Sequence, residues 1–476
     1  MMPYPPLGTL YAASFLRQRG ISVALHDVML ADTEAEIIPA IDGAKPSFVA
    51  IYDDGFNYLS KMCLTRMREA AFSMARMAKA RGCTVVVFSS DATDHLEDYF
   101  RHGVDYVLCG EAEITLAELI ECLTGPSPRT PEQISGLAFL KNGGIFKTEQ
   151  RKVLKDLDQL PFPAWDLVDL DRYRSAWKKR HGYFSLNMVT TRGCPFHCNW
   201  CAKPLYGQVY HARSPENVVA EMKFLRNLAR PDHIWFADDI FGLKPGWVKQ
   251  FAHCVQEENA RIPFKCLARV DLLLEGNTLE LLKESGCETV WVGAESGSQK
   301  ILDAMEKGTT VNQIYQATTL LHKHGIRTGF FLQFGYPGER REDILETINM
   351  VKDCMPDEIG ISVSYPLPGT KFYERVRNQL ADKQNWAVSQ DLDLMFPGEF
   401  SPDFYRMLHR VVHKQFRIWR GMRALKALFL NSGDGVKNRI RSVASMVYHG
   451  LTLPFDRLRL MALGKVSQSE VHAHAD

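Results

Sequence analysis

Short apolar runs and amphipathic stretches take turns along the first 125 positions. The segment GTLYAASFLRQRG spaces its apolar residues for one face of a helix and stops at Gly20. SVALHDV, PSFVAIYDD, CTVVVFSSD and VDYVLCGEAE are β-branched or aromatic runs that end in polar residues. Strands alternating with helices predict a parallel sheet covered on both faces, an α/β doubly wound (Rossmann-like) domain over residues 1–125. The chain opens at MMPYPPLG, where the first strand of such a domain is expected, so either the sheet is one strand short or the start lies upstream.

Residues 126–185 read as a linker. TGPSPRTPEQ is turn-rich, GLAFLKNGGIFKT predicts a hairpin around Asn142–Gly143, and LDQLPFPAWDLVDL holds too many prolines for a helix interior. From 186 to 380 six strand-like segments recur, most followed by a helical one: SLNMVTT, HIWFADD, FKCLARVD, TVWVGAES, RTGFFLQFG and EIGISVSYP. This is a partial (β/α)6, TIM-like barrel, whose strands end in the polar or glycine residues that carry chemistry in such folds. Residues 381–476 have no strand signal and form a helical basic tail.

Composition adds limits. A chain of 476 residues exceeds one ordinary core, and 46% hydrophobic with 24% charged residues is a folded composition. A net charge of +1 provides no whole-molecule field for nucleic acid, so none is expected as a partner. No apolar run is long enough to cross a bilayer and no signal sequence opens the chain, so a cytoplasmic location is expected. The 11 cysteines do not form a small disulfide framework: Cys63, Cys83, Cys109 and Cys122 show no grouping, and Cys83 and Cys287 stand in apolar surroundings as small hydrophobes.

TTRGCPFHCNWC breaks that pattern, with Cys194, Cys198 and Cys201 in Cys-x3-Cys-x2-Cys spacing. Three thiolates on one loop can ligate three irons of a [4Fe–4S] cubane and leave the fourth iron open. A structural zinc site would want a fourth ligand, for which only His197 stands nearby, on the same tight loop. A ferredoxin-type cluster would want a fourth cysteine soon after Cys201, and the next is Cys254.

The spacing, Trp200 before the last cysteine and the six-strand barrel resemble the radical S-adenosylmethionine (SAM) superfamily. PPLGTLYAASFLRQRG, GVDYVLCGEAE, LDQLPFPAWDLVD, RSPENVVAEM, FADDIF, ARVD, WVGAESGSQ, FGYPGE and YPLPGT resemble its cobalamin-binding branch, which holds anaerobic oxidative cyclases and C-methylases. The resemblance implies SAM as a cofactor. Ala237, Asp238 and Asp239 would meet the methionine amine, and Arg269, Asp271, Glu295 and Ser296 the carboxylate and ribose. It also implies cobalamin in the crevice beyond the N-terminal strand ends, at Asp27, Tyr52, Asp53, Ser89, Ser90, Gly110 and Glu111. Two departures stand out. Met29 occupies the place of the family's cobalt-ligating histidine, with Asp32 in its glycine place, and Ser89–Ser90 replace the usual glycine pair.

FYRMLHRVVHKQFRIWRGMRALKALFL sets Arg406, Arg410, Lys414, Arg417, Arg420, Arg423 and Lys426 among apolar residues. Such a basic amphipathic helix packs on the barrel or rests peripherally on an anionic membrane surface. The leading expectation is cobalamin-dependent C-methylation of a small-molecule or lipid substrate, with an electron donor such as flavodoxin or ferredoxin. The alternatives are an oxidative cyclase acting on a tetrapyrrole or lipid, an RNA-modifying radical SAM enzyme, and a cobalamin- or redox-sensing regulator. The RNA-modifying class carries extra N-terminal cysteines and a β-rich basic end that this chain lacks.

Overall fold

A computed structural model describes residues 3–56, 65–125, 129–203, 205–380, 392, 394–429 and 436–473, with side chains 427–429, 436–438 and 465–473 left aside. Cys63, part of the 124–133 turn segment and the 380/381 boundary lie outside the described residues. The strands form three sheets. The first has the order β1 (Phe48–Tyr52), β2 (Thr84–Phe88), β3 (Tyr106–Leu108), β4 (Leu137–Lys141), β5 (Gly144–Lys147). β1, β2 and β3 are parallel, with Val49 opposite Val85 and Val86 opposite Tyr106. After Thr84, β2 is apolar and buried from Val85 to Phe88, as a central strand of a parallel sheet covered by helices should be. Val85 and Val87, with Val107 of β3, pack in one core with Ala71, Met74 and Ala75 of the Thr65–Lys79 helix. Full burial of such a valine contributes roughly 1.5–3 kcal/mol.

The hairpin at 142–143 is present. Asn142 (φ 52°) and Gly143 (φ 80°) both take the left-handed conformation of the two-residue turn that matches strand twist, and β4 pairs antiparallel with β3. The strand expected at SVALHDV does not form. Residues 21–27 have no regular structure and none is buried, so this run lacks the packed face on which strand propensity depends.

The second sheet has the order β13 (Glu358–Val363), β12 (Arg327–Phe334), β11 (Cys287–Glu295), β10 (Phe264–Ala268), β9 (His233–Phe236), β6 (Ser185–Met188). The pairs β6–β9, β9–β10, β11–β12 and β12–β13 are parallel, which makes this an open half-barrel sheet. The third sheet is the small antiparallel pair β7 (Thr191–Arg192) and β8 (His211–Ala212). The architecture is thus α/β: a Rossmann-like mixed sheet, a parallel half-barrel and C-terminal helices.

The chain resolves into two compact units. The first is residues 1–196, 203–267 and 284–287, and the second is 197–202, 268–283 and 288–476. In the second unit the helices Pro402–Phe429 and Val436–Ala473 run antiparallel, with Lys414 beside Thr452 and Arg417 beside His449. They cross closely at Gly421, where a Cβ would lie 2.3 Å from that of Met446. Phe404, Tyr405, Leu408 and Val412 of the first of these helices are buried, so the tail is built into its unit.

Candidate functional site

In the first unit, the strand that opens the half-barrel leads straight into the cysteine loop. β7 and β8 pair Thr191 with Ala212 and Arg192 with His211, closing a neck around residues 193–210. Gly193 has φ 81°, and a Cβ there would sit 2.2 Å from the Val209 carbonyl oxygen, so only glycine closes the neck. Asp238, at the end of β9, holds the other side. It accepts from the Thr190 and Thr191 amides at 2.7 and 2.9 Å and from Thr190 Oγ1 at 2.6 Å. Burial pushes its pKa up to about 6, and those hydrogen bonds pull the other way.

Arg192 is buried, paired with Glu111 and Glu113 and ringed by Tyr11, Phe56 and Tyr206. Burial works against its charge, and Glu113 with its neighbours more than restores it. Cys194, two residues on, is 8% exposed.

The same unit places the N-terminal candidates. Tyr52–Asp53, Ser89–Ser90 and Gly110–Glu111 follow the C-terminal ends of three adjacent parallel strands, where doubly wound sheets take ligands. The Asp53 amide donates to the Phe88 carbonyl, and Ser89 Oγ caps the short Ser90–Asp94 helix at 2.9 Å. Gly110 is left-handed at φ 82°. Glu111 is engaged elsewhere, by Arg192 and by the Leu154 amide. Asp27 ends no strand: it accepts from Tyr173 Oη at 2.7 Å and caps the turn holding Met29, which is 40% exposed. From the cysteine loop, Leu205 reaches over these ends, so close to Gly55 that a Cβ there would meet its Cδ1 at 2.4 Å.

In the second unit, Cys198 and Cys201 share a turn, with the Cys201 amide 3.2 Å from the Cys198 carbonyl. Between them Asn199, 3% exposed, is the clamp that sequence reasoning missed. Its Nδ2 donates to Ala304 at 2.7 Å, its Oδ1 accepts from Tyr336 Oη at 2.9 Å, and its backbone bonds Met305 and Phe372. Trp200 Nε1 is buried without an acceptor among the described residues.

Lys307, one-tenth exposed, donates to Glu295 Oε1 at 2.8 Å. Burial opposes its charge, while Glu295 and the nearby Cys198 raise its pKa. Arg269 grips Asp271 through two 3.0 Å bonds and donates to the Lys307 carbonyl. Arg269, Asp271, Glu295 and Lys307 thus form two cation–carboxylate pairs linked through the Lys307 backbone. Glu295 has φ 57° at a register shift in β11, a strained position of the kind that gathers at sites. Ser296 is fully buried and bonded to Thr347.

Ala237 closes β9 by donating its amide to Met188, and Asp239 is exposed. The described cysteines form no disulfide, and among the described residues no three His, Cys, Asp or Glu side chains converge as a preformed metal site.

Residues 188–351 match the Radical SAM superfamily model, so the chain carries a radical SAM domain. It is 29% identical over 452 residues to an uncharacterized methyltransferase of Pyrococcus horikoshii, covering 93% of this chain and 94% of that one. Among solved structures it is similar to the radical SAM methyltransferase TsrM of Kitasatospora setae, with bound cobalamin and [4Fe–4S] cluster, at TM-score 0.66 and 18% identity over 80% of this chain and 76% of that one. It is also similar to the cobalamin-dependent radical SAM enzyme OxsB, at TM-score 0.70 and 18% identity over 94% and 70%. At such identities the two structures establish a shared fold.

Proposed function

We propose that this protein is a cobalamin-dependent radical SAM methyltransferase acting on carbon of a small-molecule or lipid substrate, with flavodoxin or ferredoxin as electron source. The observation that carries the reading is a radical SAM domain whose Cys-x3-Cys-x2-Cys loop leaves the first half-barrel strand and whose chain begins with a Rossmann-like sheet. The donor set fits a cluster: three thiols outside any disulfide, a lysine charge beside Cys198 and a buried indole N–H of Trp200 that meets no acceptor among the described residues. Cys194, Cys198 and Cys201 would hold it, and with SAM it would supply one-electron radical chemistry.

The other residues bind and orient. Ala237, Asp239, Arg269, Asp271 and Glu295 are the candidates for the zwitterion and ribose of SAM, because a ligand carrying both charges wants partners of both signs. Asp238 and Ser296 serve as supports, their polar atoms already spent on Thr190, Thr191 and Thr347. Tyr52, Asp53, Ser89, Ser90 and Gly110 would line the cobalamin crevice, framed by Asp27 and Glu111.

Anaerobic reconstitution with iron, sulfide and hydroxocobalamin tests the reading. The desalted protein should keep corrinoid absorbance without the spectrum of a histidine-ligated form, since Met29 stands in the histidine place. With reductant and SAM it should form S-adenosylhomocysteine. The triple change C194A/C198A/C201A should lose the iron–sulfur absorbance. A triple variant with full iron and sulfide would defeat the cluster assignment, and loss of all corrinoid on the column would defeat the cobalamin one.

A further inference from the structure

The helix Val436–Ala473 presents two apolar faces. Leu453, with Leu460 and Leu463 beside it, packs against Met407 and Val411 of the preceding helix. The second face is bare: Ile440, Val447, Tyr448, Leu451, Phe455 and Leu458 are between 55 and 74% exposed. Steps of seven, four, four and three from Ile440 through Val447, Leu451 and Phe455 to Leu458 keep one side of a helix, a strip about 27 Å long at 1.5 Å per residue. Arg441 and Arg459 are eighteen residues apart, close to five full turns, so both project along one rim, and Arg457 stands on the other, its guanidinium 2.8 Å from the Gln415 side-chain amide of the preceding helix. All three are exposed. From 439 to 464 the only acid is Asp456, which turns to the other face and binds Arg410 and Lys414.

An apolar strip between cationic rims, free of acid, is the chemistry of a helix lying in a lipid–water interface. Among the described residues no helix is long and apolar enough to cross a membrane. A second copy seated on the strip would set arginine rim against arginine rim. We propose that this face docks the protein on the surface of a bilayer containing anionic phospholipid, with Leu451, Phe455 and Leu458 at the acyl boundary and Arg441, Arg457 and Arg459 among the phosphates. The two tail helices divide the work. On the first, Arg410 and Lys414 are drawn to Asp456 and hold the hairpin together, and the second meets the lipid.

Flotation of the reconstituted full chain tests this with phosphatidylcholine vesicles, with and without phosphatidylglycerol. The parent should float with the anionic vesicles, less so as salt is raised, and not with phosphatidylcholine alone. R441Q/R459Q should weaken binding about twentyfold or more, at roughly fivefold per arginine. L451D/F455D should abolish it, with an unchanged thermal midpoint because both side chains are solvent-facing. A parent that stays unbound to anionic vesicles overturns the proposal, as does an aspartate variant that floats like the parent. A stable dimer in size-exclusion chromatography that the aspartates split would assign the face to a second copy and equally overturn it. Vesicle binding needs neither cluster nor cofactor, so its failure leaves the proposed activity standing, and failure of the activity leaves this standing.

Discussion

Asn199 lies between two of the cysteines, and both ends of its side-chain amide are used. N199A would remove two hydrogen bonds from a buried turn, at about 0.5–1.5 kcal/mol each, because the Tyr336 hydroxyl can still donate to the Ala304 carbonyl, 3.0 Å away. The variant should lower the thermal midpoint and the iron retained after desalting together. A drop in stability with undiminished iron would show that Asn199 does not position the cysteine turn. A different residue sets a pH dependence. Glu339, 1% exposed, is pushed up to about 8 by burial, with the Gly335 amide at 2.5 Å pulling the other way. The folded protein therefore keeps a proton that the unfolded chain releases near 4.5. Below that pH the carboxyl is protonated in both states and this group adds no pH dependence. Between there and about 8 stability falls as pH rises, by at most about 1.4 kcal/mol per pH unit from this group. E339Q should flatten that slope and be the more stable protein at pH 8, read by denaturant midpoints across the window; parallel slopes would refute the assignment.

Elements explain what could and could not be read from the chain. The half-barrel strands were legible because each is a short apolar run ending in polar residues, and the Asn142–Gly143 turn because its residues suit two left-handed positions. SVALHDV carries the same local signal as the true strands but lacks a buried face, which a local pattern does not reveal. Asn199 was invisible because its partners lie 105 to 173 positions downstream. The basic, amphipathic character of both tail stretches was legible, yet which cations are spent depends on Asp456, and a local pattern does not show which apolar face stays bare. Ser89 and Glu111 were placed at strand ends correctly, but the partners that occupy Glu111 come from elsewhere in the chain. The neck of the cysteine loop yields an expectation at this scale. G193A forces a Cβ against the Val209 carbonyl and strains a left-handed position, so β7 and β8 should separate. Cluster incorporation should fall while the far-ultraviolet circular dichroism stays near that of the parent, and an alanine variant that loads iron normally would contradict the role of the neck.

At the scale of the whole molecule, a net charge of +1 conceals local order: cations rim one helix, and buried pairs hold the site segments. The tail helix Pro402–Phe429 contributes Tyr405, Leu408 and Val412 to the buried interior of its unit, so truncation after residue 400 should leave that unit unable to fold. A soluble truncated chain with a cooperative melt would refute this. The Arg192, Glu111 and Glu113 group ties the turn after β3 to the entrance of the cysteine loop, across 79 and 81 positions. Removing Arg192 alone strands two buried carboxylates at about 3–5 kcal/mol, whereas exchanging all three for well-packed apolar residues costs far less. R192M should accordingly melt well below a R192M/E111L/E113L variant. For descent with modification the consequence is a ratchet: the three positions can drift only as a set, so related sequences should show them gained and lost together, never one at a time.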